Sequence, residues 1–364
     1  MVRFKNIVNL MAQAVADQVF PGGVLLAVRG DEVVITEAVG NTSIFGNRRK
    51  VSPDTIFDLA SLTKPLATTL AVMFLCSRGE IALDDPVLGN TDNSPSDAKN
   101  EITWLNLLCH TSGLPAYRPY YKRLLLLPES DRKPALYHAL CNEPLVCPVG
   151  RETTYSDVGF LFLQMGIEVV VKKPFATFIR DCLYPSLGIQ GLFFPLLQNA
   201  PGIDRSEYAA TEICSFRGLL QGVVHDENAY AIGGAAGHAG LFGTVNAVYQ
   251  TLRKILAAHE AVGFNNCLKP EIVSRFLCIP ENAERTPGFD VPSVTKSSCG
   301  KYFSRHNTIG HLGYTGTSFW VELEKKVIVI LLTNRVHPTR QNEKIREFRP
   351  VIHDEVMRCI CQNT

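Results

Sequence analysis

Two stretches of the chain alternate in polarity with the period of a β-strand. Residues 22–40, GGVLLAVRGDEVVITEAVG, set two β-branched runs either side of Gly30-Asp31, a tight-turn pair, and predict a hairpin. Residues 317–335, TSFWVELEKKVIVILLTNR, predict a second hairpin turning at Glu324-Lys325. Its second strand, Val327 to Leu332, is apolar on both faces and belongs at the centre of a sheet. Elsewhere the spacing is helical. The first 20 residues read as an amphipathic helix, and 103–113 as a helix capped by Thr103 and stopped by Gly113. SDVGFLFLQMGIEVVVK, FATFIRDCL, AVYQTLRKILAAHE and PEIVSRFLCI continue the theme, and TRQNEKIREFRPVIHDEVMRCICQ closes the chain as a helix. Proline and glycine punctuate the rest, notably around 84–98 and 186–207, and no internal repeat stands out.

Strands at both ends with helices between predict an α+β fold. One antiparallel sheet is built from both chain ends and flanked by helices, with a mostly helical lobe inserted. The expected layout is a single domain of two lobes. Residues 1–80 and 230–364 form the sheet-containing lobe, and 81–229 the helical one. A dinucleotide-binding βαβ series is not expected.

Composition narrows the partners. With 46% hydrophobic and 20% charged residues over 364 positions and a net charge of +1, the chain has no basic stripe for nucleic acid and no acidic tail. A small-molecule substrate is the expected partner. No window reaches the roughly 18 consecutive apolar residues of a membrane span. The interrupted N-terminal pattern lacks the apolar core and cleavage site of a signal peptide. Eleven cysteines without a C-x-x-C pair, many of them inside apolar runs, read as reduced thiols in a cytoplasmic protein rather than as disulfides or a metal site. Oligomeric state is not legible.

The stretch DLASLTKPLATTLAVMFLC, residues 58–76, opens an apolar helix with Ser61 and Lys64 three positions apart. Pro65 suits a first turn, Gly79 supplies a stop, and the i, i+3 spacing puts the hydroxyl and the ammonium on one side. A serine at a helix start gains from the dipole and from free amides that can hold an oxyanion. A lysine desolvated beside buried helix is less inclined to stay protonated, so it can take or share the serine proton. The plainer reading is that Ser61 caps the helix and Lys64 points to water.

Two further segments carry suitable partners. In TTYSDVGFLF, Tyr155 and Asp157 precede an apolar helix; a phenol beside a lysine is a credible base, and Asp157 as an N-cap is the structural alternative. In NTIGHLGYTGTSFW, His311 and several glycines stand at a predicted strand, where backbone can approach a ligand and an amide can donate to an oxyanion. His225, Asp226, Glu227 and His238 supply metal-ligand residue types, but without H-E-x-x-H or similar spacing. No metal and no cofactor is expected.

Taken in order, Ser61-Leu62-Thr63-Lys64, Tyr155-Ser156-Asp157 and His311-Leu312-Gly313 resemble the S-x-x-K, Y-x-N and K-T-G motifs of serine β-lactamases and penicillin-binding proteins. The likeness is to the branch containing class C β-lactamases and D,D-carboxypeptidases. LLCHTSGLP (107–115) and GVVHDENAYAIGGAAGHAGLFGT (222–244) are similar to segments of its esterase-like members, and the likeness runs from about residue 20 to the C-terminal helix. It implies Ser61 as nucleophile, Lys64 as its proton partner and Tyr155 as base in acylation and deacylation. It also implies an oxyanion hole from the amides of Ser61 and Tyr314, and Asp157, His311 and Gly313 at the substrate. Tyr314-Thr315-Gly316 is a second way to place the third motif. Asp157 replaces the usual asparagine and His311 the usual lysine. Both changes weaken recognition of an anionic β-lactam or D-alanine terminus, and an ionised Asp157 raises the lysine pKa. The expected function is a carboxylesterase-like serine hydrolase acting on a small ester or amide through an acyl-enzyme. The alternatives are D,D-peptidase or β-lactamase activity, or a non-catalytic ligand-binding member of the fold.

Overall fold

Both predicted hairpins are present. In a computed structural model describing residues 4–46, 48–88, 99–195, 203–262, 267–281 and 283–361, β1 (Gly22–Arg29) and β2 (Glu32–Gly40) turn at Gly30-Asp31. β4 (Ser318–Glu322) and β5 (Val327–Thr333) turn across Glu324-Lys325, and β3 (Thr308–Leu312) precedes them. The proline- and glycine-punctuated tracts at 89–98 and 196–202 lie outside the described residues.

The five strands form one antiparallel sheet in the order β2-β1-β5-β4-β3, with β5 central and wholly buried. The two chain ends meet directly in the β1–β5 pair, from Gly23 opposite Thr333 to Arg29 opposite Val327. The pleat then sorts side chains by parity. Val24, Leu26, Val28, Ile328, Ile330 and Leu332 face the main core. Leu25, Ala27, Val329 and Leu331 face a second layer, where α1 (Lys5–Ala16) contributes Ile7 and Met11, and the C-terminal helix α8 (Ile345–Cys361) contributes Ile352 and Val356.

The main core is filled by helices between the strands. α2 (Leu70–Ser77) is buried throughout and α5 (Asp157–Val171) from Val158 to Ile167, and α6 (Val245–His259) and α7 (Pro270–Leu277) show one apolar face each. The helical span from Ala60 to Arg78 has a mean hydropathy of 1.3 and enough length to cross a bilayer, yet 94% of that window is buried inside the protein. Its entrance is irregular: a 3-10 turn over Ala60–Leu62 leads into a widened π-helical segment, Lys64–Thr69, before α2 begins. Such widening often marks functional sites.

Helix ends follow local chemistry, with two departures from expectation. α3 (Trp104–Leu108) starts at Thr103 in a reciprocal capping box with Asn106, and α4 (Glu129–Asn142) follows. α3 stops well before Gly113; His110, at φ +60°, takes the left-handed position instead. Ser156, not Asp157, caps α5, accepting from the Gly159 amide at 2.9 Å, and Asp157 is left free to face the site.

Candidate active site

The turn before Ser61 is shaped by its neighbours. Ala60 is left-handed, φ +47°, a conformation that costs a non-glycine residue energy and persists only where the surroundings enforce it. Buried Asp58 accepts from the Ala60 amide at 2.9 Å and from the His225 amide at 2.8 Å. Thr63 Oγ1 donates to the Ala60 carbonyl at 2.6 Å. Ser61 is thereby held half-buried inside the 3-10 turn, and no side-chain cap is made there, so the capping explanation of this serine does not hold.

Lys64 is fully buried and does not point to water. Its Nζ donates to Ser61 Oγ at 3.0 Å, to Asp157 Oδ1 at 2.7 Å and, more weakly, to the His238 carbonyl at 3.4 Å. It also lies 4.8 Å from the centre of the Tyr155 ring. The expectation of a lysine inclined to lose its proton is reversed. Burial pulls its pKa down, but the charge of Asp157 and then the Tyr155 phenol outweigh burial and lift it to about 12. Lys64 therefore stands as an ammonium and donates to the serine oxygen.

Tyr155 closes the group. Burial pushes its phenol above the ordinary value, the Lys64 charge pulls it back, and Asp157 and Asp290 oppose that pull. Its ring packs on His110, with centroids 4.6 Å apart, and lies 6.1 Å from His311. His110 Nδ1 accepts from the Ser156 amide at 2.9 Å, so the left-handed end of α3 fixes the irregular segment that carries Tyr155 into α5.

The third segment arrives on β3. His311 is 2% exposed, and burial depresses its pKa to about 4, leaving it neutral where the motif's usual lysine is charged. Gly313 packs so tightly that a Cβ there would lie 1.9 Å from Thr317 Oγ1 and 2.7 Å from the Leu59 carbonyl. The next amide, that of Tyr314, donates to no protein acceptor among the described residues. The Thr315 hydroxyl donates to the Asp58 carbonyl at 2.7 Å, in the segment that leads into the serine turn. In the alternative Tyr314-Thr315-Gly316 register the first position is Tyr314, whose half-exposed ring stacks on His225, whereas it is His311 whose ring lies 6.1 Å from that of Tyr155.

His225, Asp226, Glu227 and His238 pair separately. His225 Nε2 lies 3.1 Å from Glu212, His238 Nε2 lies 3.0 Å from Asp226, and Arg340 bridges Glu212 and Glu227 at 2.5 and 2.7 Å. Among the described residues no three such side chains are grouped to hold a metal ion.

Several contributors escaped sequence reasoning. Asp58 and His110 lay inside quoted segments without a role. Arg285, ion-paired with Asp290 and 5.3 Å from the centre of the Tyr155 ring, and Arg349, which donates to the Gly313 carbonyl, carried no local signal at all.

An α+β fold that brings a serine, a buried lysine and a tyrosine together beside a free strand-end amide defines the serine acyl-transfer class. The family model for Beta-lactamase matches residues 7–351, and the chain belongs to that family of serine hydrolases. It is 28% identical over 352 residues to an N-acetylmuramyl-L-alanine amidase of Bacillus subtilis, covering 87% of this chain and 78% of that one. It is also 28% identical over 362 residues to a candidate D-alanyl-D-alanine carboxypeptidase of Escherichia coli, covering 90% and 82%. Its fold superposes on that of EstCE1, described as a hydrolase with promiscuous acyltransferase activity. The TM-score is 0.70 at 20% identity, covering 96% of this chain and 98% of the other.

Proposed function

We propose that this protein hydrolyses a small amide or ester through an acyl-enzyme on Ser61. The observation that carries the reading is the position of Lys64 Nζ, 3.0 Å from Ser61 Oγ and 2.7 Å from Asp157. Ser61 Oγ attacks the carbonyl carbon as its proton passes to Tyr155 in the phenolate form. The Lys64 ammonium favours that form against the desolvation that opposes it. The carbonyl oxygen becomes an oxyanion held by the amides of Ser61 and Tyr314. Collapse expels the amine or alcohol, which takes the proton back from Tyr155. Water then enters, gives a proton to Tyr155 and adds to the acyl carbon. The bond from that carbon to Ser61 Oγ breaks, the serine oxygen takes the proton back from Tyr155, and the acid leaves.

Of the small ester or amide expected from the sequence, the names of the two relatives favour the amide. A D,D-peptidase is the second reading, favoured by the carboxypeptidase relative. It is disfavoured by a neutral His311 and an anionic Asp157 where a cation and a neutral amide would meet such a substrate. Ser61→Ala should abolish labelling by a fluorophosphonate in intact-mass spectra and hydrolysis of p-nitrophenyl butyrate. A muramyl-L-alanine amide, a D-alanyl-D-alanine peptide and nitrocefin tested side by side rank the substrate classes. Unaltered ester hydrolysis by Ser61→Ala would sink the proposal.

A further inference from the structure

Arg349, near the start of α8, is 6% exposed and has no acidic partner among the described residues. Burial, reinforced by repulsion from Arg335, depresses its pKa to about 9, so at neutral pH it is still a buried cation. One guanidinium nitrogen donates to the Gly313 carbonyl at 3.1 Å and the Thr317 carbonyl at 2.7 Å, while its Nε finds no partner. Neither carbonyl needs it. The Gly313 oxygen already accepts from the Gly316 amide at 3.1 Å, and the Thr317 oxygen from the Gly313 amide at 2.7 Å. A buried charge without a counter-ion is costly, and an apolar residue of similar volume commonly serves stability as well or better. Folding alone therefore gives no account of this arginine.

Its location does. The Gly313 carbonyl belongs to the same peptide group as the Tyr314 amide, the free donor of the proposed oxyanion hole. A cation on the oxygen of a peptide withdraws electron density and makes its N–H a stronger donor, as in any polarised hydrogen-bond chain. It also fixes the peptide plane, and so the direction in which the N–H points. We infer that Arg349 is a positioning residue for acyl transfer, orienting and polarising the Gly313–Tyr314 peptide so that the Tyr314 amide stabilises the oxyanion. This rests on the acyl-transfer reading of Ser61. Arg335 grips the following peptide in a similar way, donating to the Tyr314 carbonyl at 2.9 and 2.6 Å, so two successive peptides of the turn are each held by a cation.

The test uses Arg349→Met and Arg349→Lys with a trifluoromethyl ketone labelled with carbon-13 at its carbonyl. Ser61 Oγ adds to that carbon, the serine proton leaves through Tyr155, and the ketone oxygen becomes the oxyanion. Its ionisation is read from the carbon shift. Arg349→Met should lower kcat about tenfold, short of the roughly 10²–10³ lost when an oxyanion donor is removed outright. KM should change little, and the thermal midpoint should hold or rise. The inhibitor Ki should weaken in step with kcat, and the hemiketal oxygen should ionise at higher pH than in the wild type. Arg349→Lys, which keeps the charge, should recover part of each effect, and it carries the readout if the methionine variant fails to fold. An unchanged hemiketal ionisation, or a loss of activity that only follows the fraction unfolded, overturns the inference and leaves the Ser61 reading standing. A wild-type protein that forms no adduct at Ser61 overturns both.

Discussion

Lys64 was legible as a partner of Ser61 because three positions on a helical turn leave little choice of direction. Its protonation state was open to two opposed effects, burial and the substituted carboxylate, and their balance depends on a distance. At 2.7 Å from Asp157 the ammonium is favoured strongly enough to outweigh complete burial. Asp157 therefore governs the pH dependence of the site. It raises the pKa of Lys64 and that of Tyr155, so activity should climb through the alkaline range as the phenolate becomes available. Asp157→Asn removes one negative charge from beside both groups. Both pKa values should fall, and the alkaline limb of kcat/KM should move to lower pH by about one unit, within the range usual for a close charge. A pH–rate profile of the two proteins on one ester checks this. A limb that stays in place, or moves upward, means that neither group controls the rate.

At the level of elements, periodicity gave both hairpins, the central position of β5 and the helices that fill the core, because burial enforces a repeat of two or of about 3.6. Events without a period were hidden. The widened entrance at Lys64–Thr69, the left-handed Ala60 and the left-handed His110 are set by long-range contacts such as Asp58 with the His225 amide. Arg285 and Arg349 reach the site from segments that share no motif with it. Gly313 lay between the two cases: the motif marked it, but only packing explains it. An added Cβ would collide with Thr317 Oγ1, which itself donates to the Leu59 carbonyl at 3.1 Å and so ties β4 to the serine turn. Gly313→Ala should separate the Tyr314 amide from Ser61 and lower kcat about 10²-fold, the scale expected when a catalytic group shifts by an ångström. Binding of a non-reactive product, read by calorimetry, should weaken far less. A variant with near wild-type kcat would show that the turn can give way without moving the donor.

Across the whole molecule, sequence pattern was enough to join the two chain ends in one sheet, since β1 and β5 are the two apolar strands able to fill its middle. It could not show how the C-terminal segment is fastened to the 212–227 region, because side-chain networks leave no periodic trace. Arg340 makes that fastening, bridging Glu212 and Glu227, while Glu212 also accepts from His225, whose ring stacks on Tyr314 at 5.6 Å. Burial alone would raise the pKa of Glu212, but hydrogen bonds from His225 and Arg340 outweigh it and hold the carboxyl at about 2, against 4.5 unfolded. A carboxyl depressed in the folded state binds fewer protons there than when unfolded. Its contribution to stability is complete above the unfolded value and is lost as the pH falls toward the folded one. Urea midpoints of the wild type should therefore carry a Glu212-dependent decline that begins near pH 4.5 and is finished near pH 2. Glu212→Gln should be less stable at neutral pH, with a difference from wild type that shrinks through that interval. The comparison cancels the other acids, including Asp226, also depressed, and Asp58, raised by burial. A difference that stays constant through the interval would mean that the Arg340 bridge holds the chain end by packing, with its charge contributing nothing to the fold.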